Sequence, residues 1–186
     1  MKQSLGLLLF FAALSYIAQP WAAAQPDFGC GDDKVKFDVV TRKGQPEPGA
    51  PAGGQSKIVF IETVDECGGC TTPPLRFGVD GQWLGANRGN SYFAVDVVPG
   101  IHHLCALSQG SLGPSKPEVR WVNFAAAADR VYYFVANLSV ISRLQGVGLD
   151  ATLELQQGAV NFAQVSEEEG KRRMKASPLS VWRRKK

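Results

Sequence analysis

Six side chains in this sequence could do thiol, imidazole or metal chemistry: Cys30, Cys67, Cys70, His102, His103 and Cys105. Cys67-x-x-Cys70 together with His102-x-x-Cys105 has the ligand types and spacing of a tetrahedral zinc site, in which His103 can stand in for His102. The same Cys67-Gly-Gly-Cys70 pair also has the form of a thiol-redox motif, in which a helix beginning at the motif lowers a thiol pKa. Both readings depend on local geometry. In a regular strand His102 and Cys105, three apart, point to opposite faces, whereas His103 and Cys105 share one. The redox motif runs into "TTPPLRF", where two prolines and a following strand leave no room for the helix that chemistry needs.

Compartment decides between free thiols and disulfides. The chain opens with Lys2, an apolar run from Leu5 to Ile17, and small residues at Ala22 and Ala24. That is the pattern of a secretory signal peptide, residues 1–24, cleaved before Gln25. The run is shorter than the ~20 apolar residues of a spanning helix. No long apolar segment comes after it, so a periplasmic or secreted protein without a transmembrane span after cleavage is expected. Four cysteines in an exported chain imply oxidised pairs, and three connectivities are open. The expected pairing joins Cys67 to Cys70 across two flexible glycines and leaves Cys30 to Cys105. The second bond would tie an N-terminal arm to the strand carrying Ile101, His103, Cys105 and Leu107, with His103 on the bonded face and His102 on the other face, nearer solvent.

Other chemistries lack their parts. The sequence contains two histidines, no Gly-x-Ser-x-Gly elbow and no phosphate-cradling loop. No catalytic residue, metal or cofactor is assigned. Loss of Lys2 with the signal leaves 19 basic and 17 acidic side chains, with eight of the positives between Lys171 and Lys186. Such a basic end, without interleaved aromatics on a basic face, does not make a nucleic-acid site. A binding module survives this elimination. Trp83, Asn87, Arg88 and Asn90 fall around one loop beside a hairpin, a set of flat and amide groups suited to an envelope glycan or a protein.

The elements that position these residues are short strands. "KIVFIETV" (Lys57 to Val64) and "VYYFVANL" (Val131 to Leu138) are apolar on both faces, as central strands are. "LRFGVD" and "SYFAVDV" alternate, as half-buried strands do. Asp80-Gly81 between Val79 and Gln82 signals a tight I′ hairpin, and Pro99-Gly100 a wider turn. "QPEPGAPAGGQ" (Gln45 to Gln55) marks a flexible link. Ser166 and Glu169 in "SEEEGKRRMKA" signal the cap of one helix. The expected organisation is an arm with one strand and the Pro/Gly-rich link (25–56), a mainly β antiparallel β-sandwich domain with one short C-terminal helix (57–180), and a basic tail (181–186).

The run "VDGQWLGANRGNSYFAVDVVPGIHHLC", with the later "VYYF" and "SEEEG", resembles the bacterial exported-protein family catalogued as domain of unknown function 2846. The likeness spans roughly Lys57 to Ser180, and "GANRGNSYF" and "PGIHHLC" are its most specific parts. A weaker likeness, through the Asp-Gly turn and the later Pro-Gly-x-His, is to PEGA-type envelope β-domains. Both imply a β-sandwich outside the cytoplasm and neither implies an activity. Cys67 to Cys70 and the loop "QGSLGPSKPEVR" stand outside the family pattern and mark a local specialisation.

Overall fold

A computed structural model of the chain describes residues 29–43, 48–64, 72–111, 117–145 and 152–186, with the side chains of 140–158 excepted. Residues 1–24, read above as a signal peptide, and the expected Cys67–Cys70 pair lie outside the described residues. Among the described residues ten strands and one helix succeed one another in the order β1 (Phe37–Arg42), β2 (Ser56–Val64), β3 (Leu75–Val79), β4 (Gln82–Asn87), β5 (Ser91–Val97), β6 (Gly100–Ser108), β7 (Arg120–Ala126), β8 (Val131–Gln145), β9 (Thr152–Val165), α1 (Glu167–Lys175) and β10 (Leu179–Arg184). They build two packed sheets. Sheet A has the order β1-β10-β5-β2-β8-β9 and sheet B the order β4-β3-β6-β7. The protein is mainly β with one short C-terminal helix, as the alternating strands and single helical signal predict.

The main core lies between the sheets. Phe60 and Phe93 of sheet A pack on Phe77 of sheet B with ring centroids 5.0 and 5.8 Å away, and Phe134 meets Phe124 edge-on at 5.0 Å. Such pairs contribute about 0.5–1.5 kcal/mol each beyond their buried area. A second layer explains why β2 and β8 are apolar on both faces. Val59, Ile61 and Tyr133 point away from sheet B and are covered by Met174 of α1. Gly170 lets the helix lie flat on this face, because a Cβ there would run into the Tyr133 ring.

Sheet B is antiparallel throughout, but sheet A is mixed: β2 runs parallel to β8, and β10 touches β5 in parallel. The parallel β2–β8 pair arises because all of sheet B, together with β5, is inserted in the chain between these two neighbours. Asp80 and Gly81 take the two positive φ values, 49° and 80°, of the I′ hairpin. Pro99-Gly100 does not close a hairpin: it carries the chain from β5 in sheet A to β6 in sheet B. Ser166 caps α1 by accepting from the Glu169 N–H at 3.2 Å, while the Glu169 carboxylate turns to Arg172 and Arg173 instead of completing a capping box.

Strand pairing runs across the expected domain limits. Val181–Arg184, read as basic tail, belong to β10, which pairs residue by residue with β1 of the arm, from Phe37 opposite Arg184 to Arg42 opposite Leu179. Trp182 is the anchor. Its ring lies 5.2 Å from Phe37 and 6.2 Å from Phe93, on top of Gly85 where a Cβ would collide. Charge density hid a strand that buries Ser180 and packs Trp182 on the core.

Candidate functional site: the outer face of sheet B

The parity of β6 sorts its side chains into two sets. His102, Leu104 and Ala106 face sheet A and are buried, whereas Ile101, His103, Cys105 and Leu107 face outward. The N-terminal arm crosses this outer face. Cys30 is disulfide-bonded to Cys105, with Cα atoms 5.7 Å apart, as the expected pairing has it. Arg76 holds the arm beside it, donating to the carbonyls of Asp33 (3.0 Å) and Val35 and pairing with the Asp33 carboxylate at 3.3 Å. The Arg76 guanidinium also lies 4.2 Å from the centroid of the Trp83 ring. Burial lowers the pKa of Arg76, and the nearby Asp33 and Asp32 carboxylates oppose that shift. Close approach requires glycine: Gly31 has φ 102°, and a Cβ on it would stand 2.9 Å from the Gly81 carbonyl and 3.0 Å from Trp83.

The arm covers β4, β3 and part of β6 and leaves the β6–β7 end open. There Ile101 is 73% exposed and Trp121 61% exposed. Trp121 sits opposite Cys105 and Asn123 opposite His103 in the β6–β7 register. The His103 and Trp121 ring centroids are 5.3 Å apart. His103 Nδ1 donates to Asn123 Oδ1 at 2.7 Å, which turns Nε2 toward Cys30 Sγ, 3.9 Å away. A flat exposed indole, an amide and an imidazole thus share one sheet face beside a disulfide.

The loop cluster expected from sequence does not assemble. Trp83 is buried under the arm, and Asn87 is buried with its amide donating to the Phe60 carbonyl at 3.0 Å. Arg88 and Asn90 are exposed, and Asn90 Oδ1 accepts from the Val64 N–H at 2.9 Å. Two members shape the fold and two face solvent. The arm is the reason, since it converts Trp83 from a surface ring into a core one.

The expected exposure of the histidines is also corrected. His102 is 5% exposed, with Nδ1 2.7 Å from Asp80 Oδ2 and Nε2 2.7 Å from the Val98 carbonyl, while His103 is half-buried. Both His102 nitrogens are therefore occupied. Among the described residues the one cluster with metal-ligand atoms is Cys30, His103 and Cys105, all within 4.8 Å of one another. Of the expected Cys67, Cys70, His103, Cys105 set, two members lie outside the described residues. Trp121 and Asn123 were missed by sequence reasoning, although their alternation with Val122 and Phe124 is a usable signal for an outward-facing pair.

At the opposite side of the β3–β4 region, Glu62 is fully buried. Its Oε1 accepts from the Gly89 N–H (3.0 Å) and its Oε2 from the Leu75 N–H (3.2 Å). Burial pushes its carboxyl up to about 8, against the pull of those two N–H groups and of Arg88. This acid links β2 to the start of β3 and to the β4–β5 turn. Compared with family profiles, curated proteins and solved structures, the chain matches none.

Proposed function

We propose that the protein is an exported, non-enzymatic β-domain of the cell envelope that binds a glycan on the open β6–β7 face. The observation that carries this reading is Trp121, a large ring left 61% exposed on a rigid strand beside the Asn123 amide and the His103 ring. An aromatic plane with adjacent amide groups suits stacking on a sugar ring and hydrogen bonding to its hydroxyls. The Cys30–Cys105 disulfide favours an oxidising compartment, in keeping with the signal-like N-terminus. No described helix is long and apolar enough to cross a membrane.

A thiol-redox enzyme at Cys67 and Cys70 is disfavoured by the residues on their C-terminal side. Thr72 to Pro74 are irregular and lead directly into β3, which leaves no room for a helix running on from the motif to lower a thiol pKa. His102 has no free ring nitrogen to act as a base.

Calorimetric titration with envelope polysaccharide and peptidoglycan fragments tests the proposal. Trp121→Ala is expected to weaken binding by at least about tenfold, the cost of an interface anchor, and Asn123→Ala to weaken it less. Arg88→Ala leaves it unchanged. If no fragment binds, or if Trp121→Ala binds as the wild type does, the β6–β7 face is not a glycan site. For export, the intact mass of protein from a native-like host should correspond to a chain beginning at Gln25.

A further inference from the structure

The geometry points to a second state of the Cys30–Cys105 pair: on reduction, Cys30, His103 and Cys105 form a three-ligand site for a thiophilic d¹⁰ cation such as Zn²⁺. This inference does not rest on glycan binding. Three observations converge on it.

The ligand atoms are already gathered. Both sulfurs and a His103 ring nitrogen lie within 4.8 Å of one another. Tetrahedral zinc with sulfur at about 2.3 Å and nitrogen at about 2.0 Å needs ligand atoms roughly 3.5–4 Å apart, so closing on an ion asks for small movements. Cys30 can make them, because it lies on an irregular arm, whereas His103 and Cys105 are fixed on β6. Strand parity keeps these last two on one face.

His103 is oriented in a way the disulfide itself does not use. Asn123 Oδ1, 2.7 Å from Nδ1, holds the proton on that nitrogen and leaves the Nε2 lone pair directed at Cys30 Sγ, 3.9 Å away. A disulfide sulfur carries no hydrogen to donate to that lone pair. A second partner that fixes the histidine tautomer is the usual companion of a metal-binding imidazole. The donor set, two thiolates and one imidazole, is that of soft or borderline cations, and three protein ligands leave a fourth position open.

Cys105 is 1% exposed and Cys30 half-buried, so Cys30 Sγ is the sulfur open to attack. A dithiol reductant supplies the electrons. Its thiolate attacks Cys30 Sγ and expels Cys105 as a thiolate, and its second thiol then displaces Cys30 and closes the reductant's own disulfide. Two electrons and two protons are thereby delivered to Cys30 and Cys105. Zn²⁺ then displaces both thiol protons and accepts a lone pair from each thiolate and from His103 Nε2.

The test uses the purified protein carrying Cys67→Ser and Cys70→Ser, so that this motif contributes no ligand, reduced anaerobically with a non-chelating phosphine. Titration with Co²⁺ should give one equivalent bound with thiolate-to-cobalt charge-transfer absorption, and Zn²⁺ should displace it stoichiometrically. The oxidised protein should give no such absorption. Cys30→Ser and His103→Ala should abolish or sharply weaken the signal, and Asn123→Ala should lower Zn²⁺ affinity by about 10–100-fold. Because His103 is half-buried at the surface, His103→Ala is expected to keep the fold, which isolates the ligand's role. Absence of the charge-transfer band, equal binding by His103→Ala, or loss of near-ultraviolet dichroism in the reduced chain despite excess Zn²⁺ would each overturn the assignment.

Discussion

Asp80 Oδ2 lies 2.7 Å from Nδ1 of the buried His102, and Asp80 Oδ1 accepts from the His103 N–H at 2.9 Å. The Asp80 N–H in turn donates to the His103 carbonyl. One hairpin residue, held at φ 49°, thus locks the β3–β4 turn to the paired histidines of β6. Asp80→Ala strips His102 Nδ1 of its partner and puts alanine in a left-handed conformation, so a loss of about 2–4 kcal/mol is expected. Asp80→Asn, which tolerates that conformation and keeps a polar side chain, should lose less. Urea denaturation of the two variants checks the order.

Cys30 and Cys105 close a loop of 75 residues. In the chain-entropy model such a closure stabilises the fold by up to about 4.5 kcal/mol. Replacing both cysteines by serine should therefore lower the denaturation midpoint markedly. It should also make the arm cleavable by trypsin at Lys34 and Lys36 before the body of the protein is cut. Unchanged trypsin resistance would mean that Arg76 and the β1–β10 pairing hold the arm alone.

Glu62 makes stability fall as pH rises. An unfolded glutamate ionises near its ordinary 4.5, whereas the folded one holds its proton up to about 8. Between those values the folded chain binds a proton that the unfolded chain has lost, and the cost grows to a few kcal/mol above 8. Glu62→Gln gives up one acceptor, at about 1 kcal/mol, but removes that slope. The variant should be the less stable protein at pH 5 and the more stable one at pH 9, as thermal unfolding at both values would show.

Gly170→Ala should destabilise the protein even though alanine favours a helix by about 1 kcal/mol. The added Cβ would meet the Tyr133 ring, and overpacking of that kind costs about 1–3 kcal/mol. A raised melting temperature would show that α1 can lift off sheet A without penalty.

Strand parity made much of this protein legible before any tertiary contact was known. It placed His103 with Cys105 and separated both from His102, and the two-sided apolar runs marked β2 and β8 as central. Asp80-Gly81 announced its turn, and Ser166 its helix cap, because those residues act on backbone groups a few positions away. Parity tells which side chains share a face but not which face turns inward. That choice depends on what packs there, and it reversed the expected exposure of His102 and His103. Trp83 was buried by the distant arm that carries Cys30 and Val35, while Trp121 was left open because the same arm stops short of β7. The parallel β2–β8 pair and the recruitment of Val181–Arg184 into sheet A likewise come from partners far apart in the chain. Local preferences write the elements, whereas burial of their apolar faces against distant segments decides the pairing and what remains on the surface.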